Sequence, residues 1–487
     1  MRRILLLLTV ALTAVVVNAE DFTVNGIKYT GDETTMTATV TGTGNLTDLV
    51  IPETVNGYTV TKIGAVAFWR SDLKSVHIPA SVTEIEYSDI YGWPFTGCPL
   101  ENITVDAGNS VFDSRNNCNA IIETASNNLL QGCKTTVIPD DIVSIGKRAF
   151  EEMYYSPDIH IPNSVKTIGE RAFYMCGLKS IDVPNSVTSI GAYAFALNDS
   201  LSYFSLPESL TEIEEGVFCL DNSLVSVTNL PSSLQRIGEM AFWRCRHLET
   251  IIIPESVTTI DDRAFQSCMR LDSITIPASV THIGEEYTFA ECELHYVVVD
   301  KENKVYDSRE GCNAIIRTAD NKLLYGASTS FIPSSVTAIG DNAFSRRKNL
   351  ESITIPAGVT SIGYNVFVNC DQLNTVTSLI LEPFEVQGCL GLVNSTDNDK
   401  TLFVTKGTVE KYKATDGWNW FGQILELFDT GDVNGDGQVG IADIVAVTNV
   451  MASITTDADV KARADVNGDG QVGIADIVAI TNIMAGK

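Results

Sequence analysis

At 487 residues the chain exceeds what one core sustains, because single cores stop growing near about 250–300 residues and longer chains split or repeat. An apolar fraction of 44% beside 19% charged residues excludes wholesale disorder. The formal net charge of −28 excludes nucleic acid as a natural partner, since phosphate binding needs clustered Lys and Arg, and favours cations.

Arg2 and Arg3 precede an apolar run from Ile4 to Val17 that closes on Val17-Asn18-Ala19. A positive start, a short apolar stretch and a small-residue end predict a secretory signal over 1–19, with the mature chain starting at Glu20. That run is too short to span a bilayer and no later run of about 18 apolar residues follows, so a soluble secreted or surface-associated product is expected. No cysteine stands at the cleavage site, which argues against a lipid anchor. Residues 20–48 are Thr-rich, polar and short-stranded, as a cap over an open core would be.

Over 49–378 one phrase recurs, for example LKSIDVPNSVTSIGAYAF, LETIIIPESVTTIDDRAF and LESITIPAGVTSIGYNVF, with a period of 22 to 24 residues. Within Ile274-Thr275-Ile276-Pro277 the alternation is that of a short half-buried strand, and the proline ends the ladder. Val280 and Ile283 then point inward on a second extended stretch, Gly284 permits the bend, and Phe289, Cys292 and Leu294 fill the interior. One copy cannot bury that face; stacked copies, about 4.8 Å apart, can. The phrase resembles the BspA-like branch of the leucine-rich-repeat proteins over about residues 45 to 380. The implied fold is a β-rich solenoid of short parallel strands, and the implied role is interaction or adhesion.

The period breaks twice, near 105–133 and 299–327. Phe95 to Phe150 and Phe289 to Phe344 are each 55 residues, and the related segments NSVFDSRNNCNAIIETASNNLLQGC and NKVYDSREGCNAIIRTADNKLLYGA predict hairpins. Similar inserts occur in relatives, so they resemble lineage decoration more than active-site loops. Residues 379–428 lose the phrase but hold Trp418, Trp420 and Phe421, candidates to close the far end as a C-terminal cap.

Eleven cysteines in an exported chain invite a disulfide reading, but Cys98, Cys176, Cys245, Cys268, Cys292 and Cys370 each stand three residues after a repeat phenylalanine. They are expected to line up as small core residues with parallel Cβ vectors, a poor geometry for bridging. Cys118 and Cys133 face each other across the first insert, yet the second insert places Ala327 opposite Cys312, which makes a bridge optional. No CxxC or clustered His/Cys spacing occurs, so no zinc site is expected. The five histidines are scattered, and His77 and His160 fall on outward strand positions.

Residues 429–487 carry GDVNGDGQVGIADIVAVTNVM and ADVNGDGQVGIADIVAITNIM, 33 residues apart. The pattern D-x-N-x-D-G-x-x-x-x-x-D places hard oxygen donors on a sharply curved loop leading into an apolar helix, as calcium requires. The first loop offers Asp432, Asn434, Asp436, the Gln438 carbonyl and Asp443; the second offers Asp465, Asn467, Asp469, Gln471 and Asp476, so two ions are expected. Gly437 and Gly470 stand at the bends. Each loop is followed but not preceded by a helix, and Asp stands where EF-hands carry Glu, which resembles a type I dockerin, a small all-α module. The resemblance implies docking onto a cohesin through Ile441, Ala442, Thr448 and Asn449, and through Ile474, Ala475, Thr481 and Asn482. These sets are identical between copies, so either face presents the same surface. Many clostridial dockerins carry Ser-Thr where this chain has Ile-Ala, so the expected contact is more apolar.

The leading reading is therefore a non-enzymatic binding protein: a solenoid that engages a macromolecule, with Trp69, Tyr174 and Trp243 as outward anchors, attached by a calcium-dependent dockerin to a cohesin-type partner. The alternative is a polysaccharide-active enzyme or substrate-binding component of a cellulosome-like complex, for which Glu249 and Asp272, in one register of adjacent copies, are the candidate acid pair. A third reading makes the calcium loops purely stabilising.

Overall fold

The computed structural model describes residues 19–154, 158–228, 230–386, 388, 390, 400–427, 431–436, 438–455, 457–467 and 471–486. The expected signal segment lies outside them, except for Ala19. The chain divides into two compact units, Met1–Tyr306 and Asp307–Lys487.

The first unit opens with an antiparallel meander, Ala19–Val24, Ile27–Asp32 and Thr37–Thr43, in which Phe22 stacks on Tyr29 and Tyr58. Its third strand pairs in parallel with Tyr58–Ile63, so the antiparallel start converts directly into coil-on-coil stacking. Two rows of parallel strands follow. One carries the alternating strands, such as Ser273–Ile276 beside Tyr296–Val299, with Ile274 and Ile276 buried and Thr275 outward. The other has only two residues per coil, and it aligns Ile213, Ile237, Ile260 and Ile283 in one buried file. Short strands suffice because each coil gains its burial from its neighbours and not from its own length.

The phenylalanine turns stack as well. From Phe150 through Phe289 successive ring centroids stand 5.1 to 6.2 Å apart and 4° to 13° from parallel. That is the offset stacking aromatic quadrupoles prefer, imposed here at the spacing of the coils. The turn backbone is tied coil to coil: Phe150 N–H donates to Ala172 O, Phe173 N–H to Ala194 O and Phe242 N–H to Ala264 O, each at 2.8 Å. Residues two before and two after these phenylalanines are left-handed, for example Arg171 (φ 54°) and Met175 (φ 52°) around Phe173. Such residues cost about 1–2 kcal/mol each when they are not glycine, and the stacked hydrogen bonds hold them there.

The repeat glycine has a different reason from the bend expected of it. Gly169 and Gly191 sit so close to the preceding coil that a Cβ would stand 2.6 Å from the backbone nitrogens of Lys147 and Glu170. Close approach of two backbones, not a left-handed φ, is what excludes a side chain there.

The cysteine file is buried, and each of the ten described cysteines is a free thiol, Cys118 and Cys133 included. These residues are more than filler: the thiols of Cys98, Cys245, Cys268 and Cys292 donate to the carbonyls of Phe68, Phe218, Phe242 and Phe265 one coil back, at 2.9 to 3.2 Å. Asn198 occupies the same position and donates through Nδ2 to Phe173 O (3.0 Å) and Phe195 O. The position selects a small donor for a carbonyl that water cannot reach.

The first insert is the expected hairpin: Ile121–Glu123 pairs antiparallel with Asn128–Gln131, which continues in parallel to Ser144–Ile145. Arg115 clamps Asp113 (2.8 Å) and Asn127 (2.8 Å), and Asn109 donates to Pro79 O and Val82 O. The shared residues of the inserts thus serve their own folding.

In the second unit, Ala314–Arg317 and Lys322–Gly326 repeat that hairpin, and Arg309 clamps Asp307 and Asn321 in the same manner. A parallel sheet then runs Ser352–Ile355, Thr375–Ser378, Thr401–Val404, Gln423–Glu426. The last two strands fall where the phrase is lost, so this stretch is not only a lid but also two irregular additions to the sheet. Helix α1 (Val409–Ala414) places Tyr412 OH on Ser378 Oγ (2.6 Å), and Trp418 Nε1–H donates to Phe384 O (2.9 Å). Trp418 and Phe421 close the core as expected; Trp420 does not, being 41% exposed.

Candidate metal centre and docking face

The C-terminal residues of the second unit form a small helical module, α2 (Ile441–Met451), α3 (Ala458–Arg463) and α4 (Ile474–Met484). Its core is small and aliphatic: Val433, Ala446, Val447, Ala464 and Ile480 are buried, with Val439, Ile444, Val466 and Ile477 packed against them. In α2 the inward residues Asp443, Ala446 and Val447 follow helical spacing, which leaves Ile441, Val445 and Thr448 on the outer face.

Each loop is fastened to its helix by the last carboxylate. Fully buried Asp443 accepts the N–H of Asn434 (2.9 Å) and of Gly440 (2.8 Å), and Asp476 accepts those of Asn467 (3.0 Å) and Gly473 (2.8 Å). Burial pushes the Asp476 carboxyl up, but the Asn467 and Gly473 N–H groups together pull it further down, leaving it below the usual carboxylate range. Asp432 accepts Gly435 N–H, Asn434 Oδ1 accepts Asp436 N–H and Asp436 accepts Gln438 N–H, at 2.8 to 2.9 Å. Gly435, at φ 78°, lets the loop curl.

The donor set is all oxygen, concentrated on one tight turn, and fits a hard cation. Among the described residues no three His, Cys, Asp or Glu side chains are gathered as an ion-holding group. The carboxylates of the first loop bond to N–H groups of their own turn. In the second loop Asp465, Asn467, Gln471 and Asp476 are described, whereas Asp469 lies outside the described residues, as do the bend glycines Gly437 and Gly470.

The residues expected to contact a partner are at the surface. Ile441 and Ile474 are each 72% exposed, Ala442, Thr448, Ala475, Thr481 and Asn482 are exposed, and Asn449 is half-buried. Sequence reasoning missed Val445 and Val478, which are exposed one helical turn on from Ile441 and Ile474 and complete the same face. Their spacing of four residues was the signal that would have found them.

Elsewhere, Trp69 is 38% exposed, while Tyr174 and Trp243 are half-buried beneath guanidinium groups: Arg171 stands 5.0 Å from the Tyr174 ring centre and Arg244 4.6 Å from that of Trp243. Glu249 is paired with Arg270 (3.4 Å) and Asp272 Oδ1 lies 2.7 Å from His295 Nδ1, so each candidate acid has a partner of its own, and both are more than half exposed. His77 donates to or accepts from Thr104 Oγ1 at 3.0 Å on its outward strand position. Among the described residues no helix is long and apolar enough to cross a membrane.

The family profile described as BspA type leucine rich repeat region matches residues 38–133, 123–229, 198–310 and 324–380, and the dockerin type I domain profile matches residues 430–485. No curated protein matches the chain. Among solved structures, a leucine-rich repeat protein from Bacteroides ovatus is similar at 25% identity, covering 82% of this chain and 98% of its own, with a TM-score of 0.45. A leucine rich cell surface protein from Faecalibacterium prausnitzii is similar at 22% identity, covering 86% and 98%, with a TM-score of 0.35. A leucine-rich repeat protein from Eubacterium ventriosum follows at 18% identity, 56% and 95% coverage and a TM-score of 0.41.

Proposed function

The chain belongs to the BspA-type leucine-rich-repeat family and carries a dockerin type I domain, and from that premise we propose that it is an exported interaction protein that docks calcium-dependently onto a cohesin-type partner. Residues 1–19 direct export; 20–48 and 379–428 cap the repeats of 49–378, which engage a macromolecular ligand; 429–487 dock. Both matched domains are non-catalytic types, common in extracellular and surface proteins, and the chain acts by binding and not by catalysis.

Dockerin type I domains bind calcium. One ion is held by Asp432, Asn434, Asp436, the Gln438 carbonyl and Asp443, and a second by Asp465, Asn467, Asp469, Gln471 and Asp476. When bound, calcium neutralises the clustered carboxylates and ties each loop to the helix that follows. The observation that carries the reading is the pair of matching exposed apolar faces, Ile441-Ala442-Val445 and Ile474-Ala475-Val478, each starting where a loop ends. Exposed apolar groups in duplicate on so small a module are costly unless covered by a partner.

The test is the binding of the whole chain to an immobilised type I cohesin. Binding is expected in calcium and absent in chelator. Ile441→Asp or Ile474→Asp alone should leave most of it, because the other face remains, while the two together should weaken it at least about a hundredfold. Binding that ignores chelator, or survives the double variant, contradicts the assignment.

A further inference from the structure

The coil from Phe68 to Phe95 is 27 residues long, against 22 to 24 in the regular copies, and the surplus lies in EYSDIYGWPF. Ser88 and Gly92 exchange backbone hydrogen bonds (2.9 and 2.8 Å), closing a loop whose tip carries Ile90 and Tyr91. Trp93 Nε1–H donates to Lys147 O (2.8 Å), and Arg148 donates to Ile90 O (3.2 Å) and Asp89 O (2.9 Å), so the loop is pinned over the coil that bears Phe150. Beneath it lies a cavity of about 330 Å³.

Part of this cavity is aromatic: Trp69 and Tyr91 have ring centres 4.9 Å apart at 57°, and Tyr174 is also in the lining. Ile90 and Met175 add apolar lining, and the rest is polar, with Thr96, Arg148 and Glu151 buried. Arg148 and Glu151 are 5% and 4% exposed and paired at 3.3 Å, and Arg171 approaches Glu151 from the other side at 3.9 Å. Arg70 holds Glu152 through Nε (2.7 Å) and Nη2 (2.5 Å). Thr96, only 2% exposed, has no hydrogen-bond partner for Oγ1. A Cβ on Gly92 would stand 2.7 Å from Thr96 Oγ1 and 3.1 Å from Glu151 Oε2, so only glycine lets the loop pack this closely over them. Burial pushes Glu151 up to about 7 against the pull of Arg148 and Arg171, so it can meet a ligand as either donor or acceptor.

Tilted aromatic faces beside Arg–carboxylate pairs match one ligand chemistry well. The C–H face of a sugar ring packs on the aromatics, and vicinal hydroxyls, donors and acceptors at once, bridge guanidinium and carboxylate. A purely apolar ligand would strip water from the rim pair Arg70–Glu152 and give it nothing in return, and an anion would have to displace Glu151 and Glu152 from the guanidiniums that already hold them. We propose that the cavity under the Ser88–Gly92 loop is a saccharide-binding subsite for a neutral pyranose, with Trp69 and Tyr91 as the stacking platform. At about 330 Å³ it stands at the small end of ligand clefts, about 300–1,000 Å³, which suits a terminal sugar or a short stretch of chain. The proposal deepens the reading of the repeats as a ligand-binding surface and is independent of the docking module.

The whole chain, in calcium, is titrated calorimetrically with neutral oligosaccharides of glucose, xylose, mannose, galactose and N-acetylglucosamine, and with uronic- and sialic-acid-bearing oligosaccharides as a second arm. At least one neutral oligosaccharide should bind more tightly than millimolar. Trp69→Ala and Tyr91→Ala should each weaken it about tenfold or more. Tyr203→Ala, an exposed aromatic outside the cavity, should leave it unchanged, and thermal melting of each variant establishes that the repeats remain folded. No neutral binder, binding of acidic sugars alone, or binding indifferent to Trp69 and Tyr91 overturns the proposal. Cohesin binding measured on the same samples reports the docking reading separately.

Discussion

The repeats and the C-terminal module bury polar groups by opposite means. In the repeats a buried donor can find its partner in the preceding coil, as the Cys268 thiol does on Phe242 O and Asn198 on Phe173 O. In the module, among the described residues, the buried carboxylates Asp443 and Asp476 accept N–H groups of their own loops, and their remaining charge asks for a cation. A stacked array carries its own stabilisation; a module whose core is a handful of Val, Ala and Ile residues would, on the proposed reading, borrow it from an ion.

The sharpest way to break this comparison is to remove calcium. Chelation should abolish the circular-dichroism signal of α2 and α4 and all cohesin binding while leaving the thermal transition of the repeats in place; a repeat transition that collapses with chelator would merge the two regions. Next comes the phenylalanine stack, where Phe265→Ala leaves a hole between Phe242 and Phe289. A loss of about 3–5 kcal/mol from the repeats, read by denaturant unfolding, with calcium affinity unchanged, is expected. A smaller effect isolates the donor position. Asp221 takes the place of the cysteine and is fully buried; burial raises its carboxyl well above the usual range, Oδ1 accepts Asn198 N–H (2.6 Å), and Oδ2 has no partner. Because the folded value lies above the unfolded value of about 3.9, folding is favoured with the proton on, and that contribution is whole below about pH 4 and lost as pH rises. Asp221→Asn keeps the acceptor and adds the donor that Asn198 uses. It should raise the repeat melting temperature at pH 7 by about 2–4 °C and have little effect at pH 4. A fall at both pH values would contradict the donor account.

The solenoid was legible because its instruction is repeated: every coil states its inward isoleucines, its proline and its phenylalanine, and the inserts reveal themselves by breaking the period. The strands Thr401–Val404 and Gln423–Glu426 were hidden because they continue the sheet by backbone pairing, which needs no phrase. The left-handed residues flanking each phenylalanine were hidden because Arg, Met and Tyr occupy them at the dictate of the neighbouring coil, against local preference. The proposed calcium donors come from spacing alone, since a loop of fixed length places them, while Val445 and Val478 required the helix face to be seen. Trp420 was misplaced because three neighbouring aromatics cannot all turn inward from one short 3-10 turn. The cavity under Tyr91 was hidden for another reason: it joins residues of four coils, two on either side of the first insert, such as Trp69 and Arg148, so no local pattern announces it.

The most direct test of the account is hydrogen exchange of the whole chain in calcium, with and without a soluble type I cohesin. The account predicts new protection at residues 441–449 or 474–482, with the repeats unchanged. Protection that falls on the repeats, or none on either helix, would contradict it.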